Sequence, residues 1–108
     1  MDKKTQKAIV IEKVLNLLHL CRKAGKLETG FDACQRSCSQ GRSNLLLMAE
    51  DLSSRQKSNL RNIADANNVK LVEFGSKEIL GNSLKLRDVG IISVEDKNFA
   101  RGIVLKLL

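Results

Sequence analysis

The chain has no tryptophan, no tyrosine and no proline, and its only aromatics are Phe31, Phe74 and Phe99. Proteins that hold single-stranded nucleic acid by base stacking need exposed aromatic platforms, and three phenylalanines cannot furnish both a core and a platform. That mode of recognition is excluded. Histidine occurs once, at His19, and the sequence contains no Ser-His-Asp set, no Walker-type loop and no dinucleotide fingerprint. The glycines stand singly, as punctuation between elements. Catalytic machinery, a cofactor and a small-molecule substrate are therefore not expected. No apolar run approaches the roughly 20 residues that span a bilayer. The cationic start is followed by apolar residues that Glu12, Asn16 and His19 interrupt, so it does not read as a secretion signal. The expected address is cytoplasmic, away from membranes.

Three cysteines, an odd number without a secretion signal, point to reduced thiols. Cys34 and Cys38 are spaced i, i+4 on one helix face, and with Cys21 or His19 they offer in principle a zinc or redox site. That helical spacing fits poorly with a zinc knuckle, and free cysteine is among the most buried residue types, so no metal is expected. His19, inside an apolar helical stretch, reads as a partly buried helix residue. Asp51, Asp65 and Asp96 read as strand-end and cap residues.

What the sequence does have is positive charge. Its 108 residues, enough for one domain, hold 19 Lys and Arg against 12 Asp and Glu, a formal net charge of +7. With 43% hydrophobic and 29% charged residues, one modest core forms and disorder is excluded. The excess is concentrated early: Lys3, Lys4, Lys7, Lys13, Arg22, Lys23 and Lys26 face only Asp2, Glu12 and Glu28 in the first quarter of the chain. A basic face of this kind is either a solvated surface or the footprint of a polyanion.

Val10, Val14, Leu17, Leu18 and Cys21 recur at helical spacing between Ala8 and Ala24, and Gly25 ends that helix after the cations Arg22 and Lys23. Leu27 to Gly30 makes a brief strand or loop, and a second helix runs from Phe31 to Ser39 with Gly41 as its stop. Leu45 to Ala49 is a continuous apolar run, which predicts a strand buried on both faces. Ser53 and Gln56 form a capping box for a helix through Leu60 and Ile63. Val69 to Phe74 predicts the next strand, Ser76 caps a short helix ending near Gly81, Val89 to Val94 predicts another strand, and Asp96 caps the last helix. Strands alternating with helices predict an α/β fold: a three-layer α/β/α sandwich with a small mixed four-stranded sheet between helices. Ligands of such sheets sit at strand ends and helix starts, which singles out the loops Gly25 to Asp32, Gly41 to Asn44 and Asn82 to Asp88. In the first of these, free N–H groups at Gly30 to Asp32 stand among Arg22, Lys23, Lys26 and Arg36, a set that suits one phosphate backbone. Arg36 would reach a groove edge while Asp32 accepts from a base amino group. On these residues alone, a capped helix start with solvated charges is an equal reading.

The run Arg22-Lys23-Ala24-Gly25-Lys26-Leu27-Glu28-Thr29-Gly30, the helix ending at Gly41, Leu45 to Asp51, Gly75 to Gly81 and Val94 to Ala100 together resemble the kink-turn RNA-binding ribosomal proteins. This is the L-seven-Ae and L-thirty-e family, and the bacterial YlxQ-like members resemble the chain most. The resemblance spans about residues 8 to 107, with residues 1–7 as a basic tail before a single domain, 8–108. It implies a non-enzymatic protein, ribosomal or ribosome-associated, that clamps bent, kink-turn-like RNA. The family's helix start reads Gly-x-Asn-Glu-x-x-Lys; here Gly30 matches, Asp32 stands for Asn, Ala33 for Glu and Arg36 for Lys, with Gln40 at a further basic position. Asp32 cannot donate as an amide does, and Ala33 has no polar group. The implied first contact region is Arg22, Lys23, Lys26, Thr29, Gly30, Phe31, Asp32, Ala33 and Arg36. The second is the loop Leu84, Lys85, Leu86 and Arg87, where Leu84 or Leu86 packs on an extruded base and the cations meet phosphate. The alternative is a protein-interaction module on the same fold that has lost standard kink-turn binding, and a thiol or zinc protein is a third reading.

Overall fold

The computed structural model describes residues 2–108. Five helices and four strands follow in the order α1 (Lys3–Lys23), β1 (Leu27–Thr29), α2 (Phe31–Ser39), β2 (Leu45–Met48), α3 (Ser54–Ala66), β3 (Leu71–Glu73), α4 (Lys77–Ser83), β4 (Ile91–Val94) and α5 (Lys97–Leu107). The strands form one mixed sheet in the order β1-β4-β2-β3; β2 runs parallel to β3, and β4 runs antiparallel to both β1 and β2. The apolar run of β2 is buried along its whole length because helices cover both sheet faces. Leu45 and Leu47, with Ile92 and Val94 of β4, face a core built from Val14 and Leu18 of α1, Leu80 of α4 and Ile103 of α5. Leu46 and Met48, with Ile91, face Cys34 and Cys38 of α2 and Leu60 and Ala64 of α3. The expected α/β/α sandwich is what forms.

The local signals act as the chemistry predicts. The capping box is present: Ser53 Oγ accepts from Gln56 N at 3.1 Å, and the Gln56 side chain accepts from Ser53 N at 3.1 Å. Ser76 and Asp96 cap α4 and α5 in the same way. The structure differs from the sequence pattern at three boundaries. The first helix begins at Lys3 because the Asp2 carboxylate accepts the N–H of Thr5 at 2.8 Å, so residues 3–7 of the expected tail are exposed helix; Met1 lies outside the described residues. β3 starts late because Val69 N–H is engaged by the carbonyl of Ala64, at 2.9 Å, closing the end of α3. β4 starts late because Val89 N–H bonds to Lys77 O at 3.0 Å, tying the chain to the start of α4 before it enters the sheet.

Candidate nucleic-acid interface

β1 hands the chain to α2 through Gly30, which sits at φ +90° and ψ 157°. A Cβ there would meet nothing within 4 Å, so glycine is required by the backbone angle and not by lack of space; an L-residue would carry a cost of roughly 1–3 kcal/mol. Gly30 N–H bonds to Ile91 O at 3.1 Å, which fixes the helix start to β4, and no side chain caps α2. The first N–H groups of the helix, at Phe31 to Ala33, are left to bind solvent or an anion. Beside them lies a cavity of about 220 Å³ whose lining includes Phe31, Leu52, Gln56, Lys77 and Ile91. Phe31 is 41% exposed at its rim. Asp51 accepts the backbone N–H of Lys77 at 3.0 Å and so holds the start of α4 against this cavity. The sequence reading missed Leu52, Gln56 and Lys77, although the capping residues Ser53 and Ser76 mark the two helix starts that bring them there.

A polar layer sets the position of α2. Its buried residues, Cys34, Ser37 and Cys38, are all small. Ser37 Oγ lies 2.7 Å from the hydroxyl of Ser93 on β4 and donates to Glu95 Oε2 at 2.5 Å. Ser93 also donates to Ser43 at 2.8 Å, and Arg42 pairs with Glu95 at 3.4 Å. Hydrogen bonds are directional where small-residue packing is not, so this network fixes the roll of α2 and with it the aim of the Gly30 helix start.

The expected contact residues divide into two groups. Lys26 precedes β1 and accepts the N–H of Glu95 at 2.8 Å, while Gly30 leaves β1 beyond the Thr29–Ile92 pair, so the two stand at opposite ends of the strand. Thr29 is half-buried in that pairing, Ala33 is half-buried, and Asp32, Arg36 and Arg87 are exposed. Arg22 and Lys23 meet the second loop instead: with His19, Leu84 and Lys85 they line a separate cavity of about 390 Å³. There the guanidinium of Arg22 donates through Nη1 to the carbonyl of Leu84. Two expectations are corrected here. Leu84 is 1% exposed and belongs to the core, because α4 turns it inward against Leu80, so only Leu86, 37% exposed, presents an apolar side chain from this loop. His19 is exposed, on the side of α1 that turns from the sheet toward Lys23 and Lys85. The loop is pressed onto α4 at Gly81, where a Cβ would stand 2.1 Å from Arg87 O.

Burial governs the thiols. Desolvation, with smaller contributions from nearby acidic groups, pushes Cys34 up to about 12 and Cys21 up to about 11, and burial also raises Cys38. All three remain protonated at neutral pH and so offer no ready thiolate nucleophile. Among the described residues no group of three or more His, Cys, Asp or Glu is arranged to hold a metal ion, and no helix is long and apolar enough to cross a membrane.

The architecture is thus a small α/β/α sandwich with an uncapped, glycine-opened helix start at one sheet end and a cation-lined cavity behind the adjoining loop. The chain belongs to the ribosomal protein L7Ae/L30e/S12e/Gadd45 family, whose family model matches residues 12–103. It is similar in structure to a protein of unknown function from Bacillus halodurans, with TM-score 0.83 and 23% identity over 88% of this chain and 96% of that one. It is also similar to the 15.5kD RNA binding protein of Giardia lamblia, with TM-score 0.76 and 20% identity over 90% of this chain and 86% of that one. No curated protein matches the sequence significantly.

Proposed function

We propose that this chain is a non-enzymatic RNA-binding protein, ribosomal or ribosome-associated, that recognises bent, kink-turn-like RNA through the helix start at Gly30. The observation that carries this reading is the uncapped α2 N-terminus opening beside an apolar cavity with Lys77 at its edge. Free N–H groups meet a phosphate, the cavity receives an extruded base, and Arg36 reaches the adjoining groove. Family membership and the Giardia lamblia RNA binding protein of the same fold support the RNA-binding part of this reading. Asp32 and Ala33 supply no amide donor to a base edge, so recognition rests on RNA shape and phosphate contact more than on base-specific bonds.

The test compares a kink-turn RNA with a straight duplex of the same composition over a salt series. The kink-turn is bound more tightly, and the slope of log affinity against log salt is on the order of −4, for about five neutralised phosphates. Arg36→Ala weakens binding by roughly 1–3 kcal/mol. Equal affinity for the two RNAs, or affinity independent of salt, overturns the proposal; no binding to either leaves the protein-interaction module as the reading to pursue.

A further inference from the structure

Strand β3 is the last strand of the sheet, and its outer side has no partner strand. Its neighbour β2 is buried along its whole length, whereas Leu71 and Val72 are half-buried and Glu73 is exposed. Leu46 N–H donates to Lys70 O and Phe74 N–H to Met48 O, both at 2.9 Å, in register with the pairs Leu46–Leu71 and Met48–Glu73. By the alternation of a parallel ladder, Val72 turns both its backbone groups to β2, while Leu71 and Glu73 turn their N–H and C=O outward. No backbone bond among the described residues takes up these outward groups. An open edge of this kind is a template for another strand.

Charge decides which strand fits. The chain as a whole is at +7, so most faces of two copies repel each other. Residues 45–75 are the exception: Arg55, Lys57, Arg61 and Lys70 balance Glu50, Asp51, Asp65 and Glu73. At the edge itself, Arg61 and Asp65 of α3 line a cavity of about 520 Å³ together with Leu71 and Glu73. Arg61 Nη2 lies 3.8 Å from Glu73 Oε1, while Val69 N–H ties the start of the next strand to Ala64 O, so α3 and β3 run antiparallel. Four helix residues rise about 6 Å and two strand residues about 6.6 Å. Asp65 therefore stands level with Leu71 when Arg61 stands level with Glu73.

We propose that β3 is a homodimerisation edge, on which β3 of a second copy pairs antiparallel about a two-fold axis at Val72. Of the registers centred on a strand residue, only this one uses every outward group: Leu71 exchanges both bonds with the partner's Glu73, and Glu73 does the same with the partner's Leu71. A centre at Leu71 calls on Val69 N–H, already bonded to Ala64 O at 2.9 Å. A centre at Glu73 sets like charges opposite each other and reaches Gly75, which leaves the strand at φ +69°. The axis that sets Leu71 opposite the partner's Glu73 also sets Asp65 opposite the partner's Arg61, so both reciprocal pairs join unlike charges. β1 and the Gly30 helix start then lie at the two outer edges of one continuous sheet, clear of the interface. The shared strand is short, so the dimer is weak and depends on concentration.

The test is sedimentation equilibrium of the full chain, free of RNA, at up to about 1 mM. Wild type passes from monomer to dimer, and hydrogen exchange at the Leu71 and Glu73 amides slows as the dimer forms. Glu73→Pro abolishes dimerisation, because it removes an outward N–H and leaves the bonds to β2 in place. Glu73→Ala loses the same carboxylate but keeps the N–H, and it still dimerises. R61D and D65R each set like charges opposite one another and weaken dimerisation at least about tenfold. Mixed together the two variants pair again, since one copy is then acidic at both positions and the other basic at both. Misfolding of either variant would not be repaired by mixing, so recovery reports the contact itself. A chain that stays monomeric throughout overturns the proposal and leaves the edge to a strand from another protein. A dimer that Glu73→Pro leaves intact, or an R61D and D65R mixture that associates no more tightly than either alone, also overturns it.

Discussion

The two faces of the sheet are built from different materials. On the α1, α4 and α5 side, Val14, Leu18, Leu45, Leu47, Leu80, Ile92 and Ile103 interlock as a core of large aliphatic side chains. On the other side, Leu46, Met48 and Ile91 make a smaller apolar cluster with Leu60 of α3, but α2 itself buries only Cys34, Ser37 and Cys38 and meets the buried Ser93 of β4. Large aliphatics supply stability with little demand on angle, because burial is non-directional. Hydroxyls and a carboxylate supply little net stability, but they fix one orientation. The helix that begins at Gly30 is thus set by directional bonds, while the larger apolar cluster on the opposite face supplies most of the burial that holds the domain together.

The largest expected effect comes from truncating the aliphatic face. Leu47→Ala, at a fully buried site, destabilises by roughly 2–5 kcal/mol in chemical denaturation, while the protein that remains folded keeps its RNA affinity. A loss of affinity in that folded fraction would erase the division between the two faces. Ser93→Ala comes next: it leaves Ser37 and Ser43 each short of a partner and costs about 1–3 kcal/mol. Because it frees the roll of α2, it also weakens RNA binding in the folded protein, measured well below the unfolding transition. Unchanged affinity there would mean that packing alone aims the helix.

The smallest effect is alkaline. The thiol of Cys34 is raised from 9.0 to about 12, so above pH 9 the unfolded chain loses a proton that the folded chain keeps. Stability is whole below pH 9 and falls as pH rises toward 12, by about 1.4 kcal/mol at pH 10 for this thiol. Denaturation curves of wild type and Cys34→Ala at neutral pH and at pH 10 measure it, and the Ala variant shows the smaller decline. An equal decline in both would place the alkaline sensitivity elsewhere, on the Cys21 face included.

Much of the fold was legible because its signals are local. The Ser53–Gln56 capping box, the Ser76 and Asp96 caps, the apolar run at Leu45 and the glycines at 25 and 41 each act within a few residues, and each fell where the pattern put it. The helix start at Gly30 was legible for the same reason. Leu84 was misplaced because a leucine in a polar loop looks the same in sequence whether it turns inward or outward. His19 was misplaced because it interrupts an apolar stretch on the side that turns from the core. Leu52, Gln56 and Lys77 went unseen as one cavity because three separate helix starts and strand ends must meet to make it.

The sequence by itself determined the elements, the family and the presence of a basic, aromatic-poor surface, since propensity, capping and net charge are properties of short segments and of sums. The tertiary structure alone decided which of those residues meet. Ser37 finds Ser93 across 56 positions and Arg22 finds Leu84 across 62, through the register of a four-stranded sheet and the packing of helices upon it. Hydrogen bonds and cavities depend on distances of a few ångströms. Distances that short, between residues so far apart in the chain, exist only once the sheet and its helices have closed around one another.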